Sequence, residues 1–191
     1  MISTSTAAEV ARGVSRLLIQ EGFSPILEFT LPNGRRLDVA ALGPGGEMLG
    51  VEIKVALADL RGDNKWPEYL DYCDLFYFAI PPDFPPEHVP RAAPGKVCSG
   101  FPSGAGGANN NWARPRPGTA TKQKETGLIV ADRYGGAIVK EAEAQSLHAS
   151  RRKAVTISFA KVAAERLSAI LETIAETSSP NLVIPDAIDE S

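Results

Sequence analysis

The chain has 191 residues, room for one domain with appendages, and its 43% apolar and 23% charged content is that of an ordinary globular protein. A formal net charge of −3 argues against a uniformly basic nucleic-acid coat, and two cysteines are too few for a disulfide scaffold and point to a reducing compartment. No apolar run approaches a membrane span, and MISTSTAAEVARG has no basic leader ahead of an apolar stretch, so a soluble cytoplasmic protein is expected.

In chain order, Thr6-Ala7-Ala8-Glu9 has the capping-box pattern, and Ala7, Val10, Val14, Leu17 and Leu18 recur at helical spacing before Gly22. A helix is predicted there. Ile26 to Leu31 is rich in strand formers and ends at Pro32-Asn33-Gly34, a turn signal; Arg36 to Leu42 returns, Gly43-Pro44-Gly45-Gly46 turns again, and Met48 to Val55 makes a third strand. These three strands form an antiparallel meander. Ala58 to Cys73 is a helix or an irregular crossover, and Leu75 to Ile80 is a buried strand. Leu128 to Ala131 and Ala137 to Lys140 are strands joined at Tyr134-Gly135-Gly136, and a last long helix carries Phe159, Val162, Ala163, Leu167, Ile170, Leu171 and Ile174 on one face.

Charge is unevenly spread. Residues 91–124 hold six basic residues, no acidic one, six Gly and four Pro, so the rest of the chain carries −9. Such a stretch cannot bury enough apolar surface to offset its ordering entropy, and a flexible basic insertion is expected over 91–124. The acidic tail 178–191 is expected to fray. Residues 1–90 and 125–177 make one domain of mixed α/β architecture.

Along the third strand Leu49, Val51, Ile53 and Val55 alternate with Gly50, Glu52 and Lys54, so Glu52 and Lys54 share a face. Asp38 on the neighbouring strand comes beside Glu52 if the register sets them opposite or diagonal. Two carboxylates that close repel unless a divalent cation sits between them, and their hard oxygens suit Mg²⁺ (or Mn²⁺). Lys54 on the same face would orient a water or balance charge on a scissile phosphate, which makes a minimum kit for phosphodiester hydrolysis. The plain alternative is a same-face ion pair between Glu52 and Lys54 with no chemical role.

The run VEIKVALADLRGDNKWPEYLDYCDLFYFAIP, with RRLDVAALGPGGEMLGVEIK before it and TGLIVADRYGGAIVKEA and SRRKAVTISFA after it, resembles the MmcB-type bacterial DNA-repair family, itself similar to the PD-(D/E)XK nuclease superfamily. The likeness covers about residues 8–90 and 125–175. It implies a restriction-endonuclease-like core, a mixed β-sheet flanked by helices, and a DNA substrate, damaged or branched, within reach of other repair proteins. It also implies that Asp38 is the first metal-binding aspartate, Glu52 the second acid and Lys54 the catalytic lysine. Lys65 and Trp66 match a KW pair that contacts nucleic-acid backbone or supports the site, and Glu28 is a further accessory carboxylate. Two departures stand out: Leu37 replaces the proline before Asp38, and 91–124 is an insertion.

For phosphate contacts, Arg35 and Arg36 at a hairpin beside Asp38 are well placed. Arg151-Arg152-Lys153 either clamps phosphate at a helix start or is a solvated helix entry. Trp66, Tyr69 and Tyr72 could stack on bases, but their spacing fits one helical face in the core. His88, His148, Cys73 and Cys98 have no zinc-ligand spacing. Two other readings remain beside the nuclease: a catalytically inactive DNA-binding or scaffold module of the same fold, and a protein-interaction domain.

Overall fold

Ser24–Thr30 (β1), Arg36–Leu42 (β2), Met48–Ile53 (β3), Leu75–Ile80 (β4), Gly127–Ala131 (β5) and Gly136–Lys140 (β6) form one six-stranded sheet whose spatial order is the chain order. The computed structural model describes residues 5–58, 65–90 and 125–178. The 91–124 insertion and the tail beyond Ser178 lie outside the described residues. β1, β2 and β3 are the antiparallel meander expected from the turn signals. β3, β4 and β5 then run parallel, which requires the two long crossovers, and β6 returns antiparallel to β5.

Helix Ala7–Gln20 (α1) covers one face. Thr6 accepts the Glu9 amide while Glu9 reaches back to the Thr6 amide, closing the capping box. Its Val10, Val14, Leu17 and Leu18 pack with Val39, Val51, Tyr77 and Ile129. The other face is covered by a 3₁₀ turn, Trp66–Asp71, and by helix Ala149–Ser178 (α2). This is the expected α/β class, a mixed sheet flanked by helices, consistent with a restriction-endonuclease-like core. Among the described residues no helix is long and apolar enough to cross a membrane.

The crossover before β4 carries an aromatic plug. Trp66 stacks on Phe76 at 6.0 Å and meets Phe78 edge-on at 5.5 Å, with Tyr69 against Phe76. Trp66 and Tyr69 are buried, so they serve the core and not base stacking.

The apolar stripe on the last helix is not one packed face. Val155 and Phe159 are buried and Val162 is half-covered, but Leu167, Ile170, Leu171 and Ile174 are 53–57% exposed. Thirty residues rise about 45 Å, so the helix outruns the sheet beneath it. Where α2 starts it is clamped. Asp74 accepts the Met48 and Leu147 amides at 2.8 and 3.2 Å and both terminal nitrogens of Arg152 at 2.8 and 2.6 Å, while Arg152 also donates to the Gly46 carbonyl at 2.8 Å.

Candidate functional site

The β2–β3 ladder runs from Leu42↔Met48 to Val39↔Val51. One further step would set Asp38 opposite Glu52, but there the strands part. Asp38 Oδ2 accepts the Ile53 amide at 2.7 Å, taking the place of a backbone acceptor at the mouth of the fork. The other edge of β2 is interrupted at the same level. Pairing with β1 holds at Leu27↔Val39 and Phe29↔Leu37 but skips Glu28, whose φ is +50°, the left-handed region that a non-glycine residue rarely adopts.

The consequence is legible in the core. Ile26 and Phe29 pack in the same cluster, as do Leu37 and Ala40, although residues three apart on an uninterrupted strand point to opposite faces. Both strands change face at Glu28 and Asp38. Arg166 of α2 secures the irregularity by donating to the carbonyls of Leu27 and Glu28.

β3 carries on without β2. Glu52 pairs in register with Phe78 of β4, and the Lys54 amide donates to the Ala79 carbonyl at 2.9 Å. Alternation puts Glu52 and Lys54 on the α2 side of the sheet. Their side chains meet there, Nζ to Oε1 at 3.1 Å, with the residues only 8% and 5% exposed. The plain same-face ion pair therefore exists, but it is buried, where two charges are costly unless matched. Burial pushes the Asp38 carboxyl above its ordinary range; the Ile53 amide opposes that rise, the charge of Glu28 adds to it, and Lys54 and Arg36 oppose it.

The fork thus brings Asp38, Glu52 and Lys54 into one neighbourhood. Among the described residues no group of three or more His, Cys, Asp and Glu is arranged to hold a metal ion. Two carboxylates suit Mg²⁺ nonetheless, because that ion keeps several waters and takes substrate phosphate oxygens as ligands. The buried Asp38 fits as well, since burial raises its pKa and a dication beside it would favour the ionised form. Glu28 stands at the same level on β1, but its carboxylate pairs with Arg36 at 2.6 Å and both side chains are more than half exposed.

The expected phosphate contacts fall in two places. Arg35 makes a two-pronged pair with Glu68 at 2.9 and 3.2 Å, which brings it near Lys65, exposed at the entry to the 3₁₀ turn. Arg151–Lys153 lies at the other end of β3, beside Met48 and Asp74. Five residue steps put that end about 17 Å from the fork. There Arg152 is committed to Asp74, Arg151 sits 3.5 Å from Asp71 and over the Tyr72 ring at 5.7 Å, and Lys153 is exposed. The sequence reading missed Asp74, which no local pattern marks. It also passed over Arg133 and Tyr134, visible only as an arginine and an aromatic at a glycine turn.

The family model described as DNA repair protein MmcB-like matches residues 2–103 and 119–174, its gap falling within 91–124. Among solved structures, a protein of unknown function from Silicibacter pomeroyi is similar, with a TM-score of 0.69 and 32% identity over 90% of this chain and 95% of that one. No curated protein matches.

Proposed function

The chain belongs to the MmcB-like DNA repair protein family, and from that premise we propose that it is a metal-dependent deoxyribonuclease that hydrolyses phosphodiester bonds in damaged or branched DNA. The observation that carries this reading is the fork itself, where Asp38 is held in the splayed β2–β3 ladder beside the buried Glu52–Lys54 pair. Similarity to the PD-(D/E)XK superfamily is part of the same proposal.

In this reading Asp38 and Glu52 hold Mg²⁺ or Mn²⁺. When bound, such an ion supplies Lewis-acid stabilisation of the charge that builds on a scissile phosphate. The Ile53 amide fixes the Asp38 carboxylate, and pairing with β4 fixes the backbone of Glu52 and Lys54. Lys54 Nζ has three protons to donate. Nζ donates to Glu52 at the fork, and in this reading the same ammonium orients an attacking water or meets a phosphate oxygen. Arg35, Arg36 and Lys65 border the fork and contact backbone phosphates, Arg151 and Lys153 extend that contact at the far end of β3, and Arg152 supports them through its clamp on Asp74. Glu28 and Trp66 act as supports, one through Arg36 and one from the core.

Purified protein with Mg²⁺ or Mn²⁺ is expected to cut a branched, nicked or damaged duplex, with Asp38→Asn and Lys54→Ala each abolishing the cut while the fold persists by circular dichroism. Cutting that survives both substitutions removes the site. A second reading, a DNA-binding or scaffold module without catalysis, is favoured by the burial of Glu52 and Lys54. It is distinguished by titration with Mn²⁺, which the nuclease binds at Asp38 and Glu52 and the module does not.

A further inference from the structure

The connection between β5 and β6 is a braced turn. Asp132 Oδ1 accepts the amides of Tyr134 and Gly135 at 2.8 and 3.1 Å, and the Asp132 amide donates to the Gly135 carbonyl at 2.9 Å. Arg16 of α1 donates to the carbonyls of Arg133 and Tyr134 at 2.8 and 3.1 Å. Helix and turn lie flush: a Cβ on Gly13 would sit 1.9 Å from the Asp132 carbonyl oxygen and 2.5 Å from that of Gly135.

What this rigid turn displays is an arginine and a tyrosine. Tyr134 is 71% exposed, and the Arg133 guanidinium lies over its ring, 4.9 Å from the centroid. A large aromatic ring held out in water on a braced turn serves no core. The pair edges a cavity of about 280 Å³ whose other walls are Ser5, Glu9, Pro82, Asp83 and Asp132, and the half-exposed Arg133 guanidinium also stands 3.7 Å from the Glu9 carboxylate. Because β3, β4 and β5 are parallel, this turn leaves the same end of the sheet as Lys54, two strand spacings or about 10 Å across, but it packs on the α1 side whereas Lys54 lies on the α2 side.

We propose that Tyr134 and Arg133 form a stacking platform for an unpaired DNA base at the end of the sheet where the nuclease site lies, with the Tyr134 ring on the base and the Arg133 guanidinium on a flanking phosphate. The ring is the face that a base uses when it has left the duplex stack, and it is useless to a base still within one. Arginine poised over an aromatic ring is suited to the same ligand, since it offers both charge and a flat surface. The inference rests on the DNA reading above and names the state of DNA that the site meets: a frayed, gapped or branched junction with an exposed base.

The test is fluorescence anisotropy with the full chain, without divalent metal, on a labelled single-stranded oligonucleotide and on a blunt duplex of the same sequence. Tyr134→Ala is expected to weaken single-strand binding about tenfold, to leave duplex binding within about twofold, and to leave the melting temperature unchanged. Tyr134→Phe keeps wild-type affinity. Single-strand affinity unchanged in Tyr134→Ala, or lost equally on both DNAs, overturns the platform while the nuclease reading stands on its cutting assay. Wild-type protein that binds neither DNA at low salt overturns both.

Discussion

β3 has an acid–base pair at each end, and the two ends are built differently. At its start Asp74 takes hydrogen bonds from two backbone amides and two guanidinium nitrogens, drawn from β3, the start of α2 and the segment before it. At its end Asp38, among the described residues, takes one amide from Ile53, and the buried Glu52 is matched by Lys54. The first carboxylate is saturated with donors and acts as a strut. The second is buried with little donation, and burial raises its affinity for a proton. That contrast is what the proposed metal site requires, since a carboxylate that holds charge poorly by itself would gain from a bound cation.

The comparison can be broken most forcefully at the strut. Asp74→Ala leaves two amides and Arg152 without their acceptor and is expected to lower unfolding free energy by about 4 kcal/mol in urea melts. If the loss is under about 1 kcal/mol, Asp74 is not structural. At the other end, Lys54→Met removes the cation from a buried carboxylate and is expected to cost about 3 kcal/mol, part of it recovered in the Lys54→Met, Glu52→Gln double variant. No recovery would mean that the two side chains are not coupled.

Asp38→Asn sharpens the contrast in the opposite direction, because it is expected to stabilise. The Asp38 pKa in the folded chain lies above its ordinary value of 3.8, so the folded state retains the proton more tightly than the unfolded state. Stability is then lost as pH rises from 3.8 through the raised value, and the whole cost is present above it. Asparagine keeps an oxygen for the Ile53 amide without the charge. In metal-free buffer at pH 7 the variant is expected to melt above wild type, the gap closing below pH 3.8. Mg²⁺ is expected to raise the wild-type melting temperature and not the variant's. A variant that melts lower at pH 7 contradicts the account of Asp38. The smallest effect is at Arg35, whose half-exposed pair with Glu68 contributes at most about 1 kcal/mol. Arg35→Ala is expected to leave stability nearly unchanged while lowering the salt dependence of DNA binding by about one phosphate contact.

The elements with local causes are the ones that could be read from the chain. Thr6 and Glu9 cap α1 because both partners lie within four residues, and Pro32-Asn33-Gly34 and Gly43-Pro44-Gly45-Gly46 set the meander. Asp38 and Glu52 could be placed at the same level for the same reason. The fork could not, because it depends on Glu28 adopting a left-handed conformation and on Arg166 binding that irregularity from 138 residues away. Arg151-Arg152-Lys153 reads as one basic cluster, but a partner 78 residues distant commits Arg152 to Asp74. The stripe from Phe159 to Ile174 has helical period throughout, and period alone does not say where the sheet beneath it stops.

The central claim is that the fork is a metal-dependent catalytic site. It is tested most directly by incubating purified full-length chain with branched, nicked and damaged duplexes in Mg²⁺ or Mn²⁺, alongside Asp38→Asn. The account predicts strand scission by wild type, its loss on chelation of the metal, and its loss in a variant that melts no lower than wild type. Scission of equal rate in Asp38→Asn, or no scission of any of these duplexes by a wild-type chain that also fails to bind Mn²⁺, would contradict it.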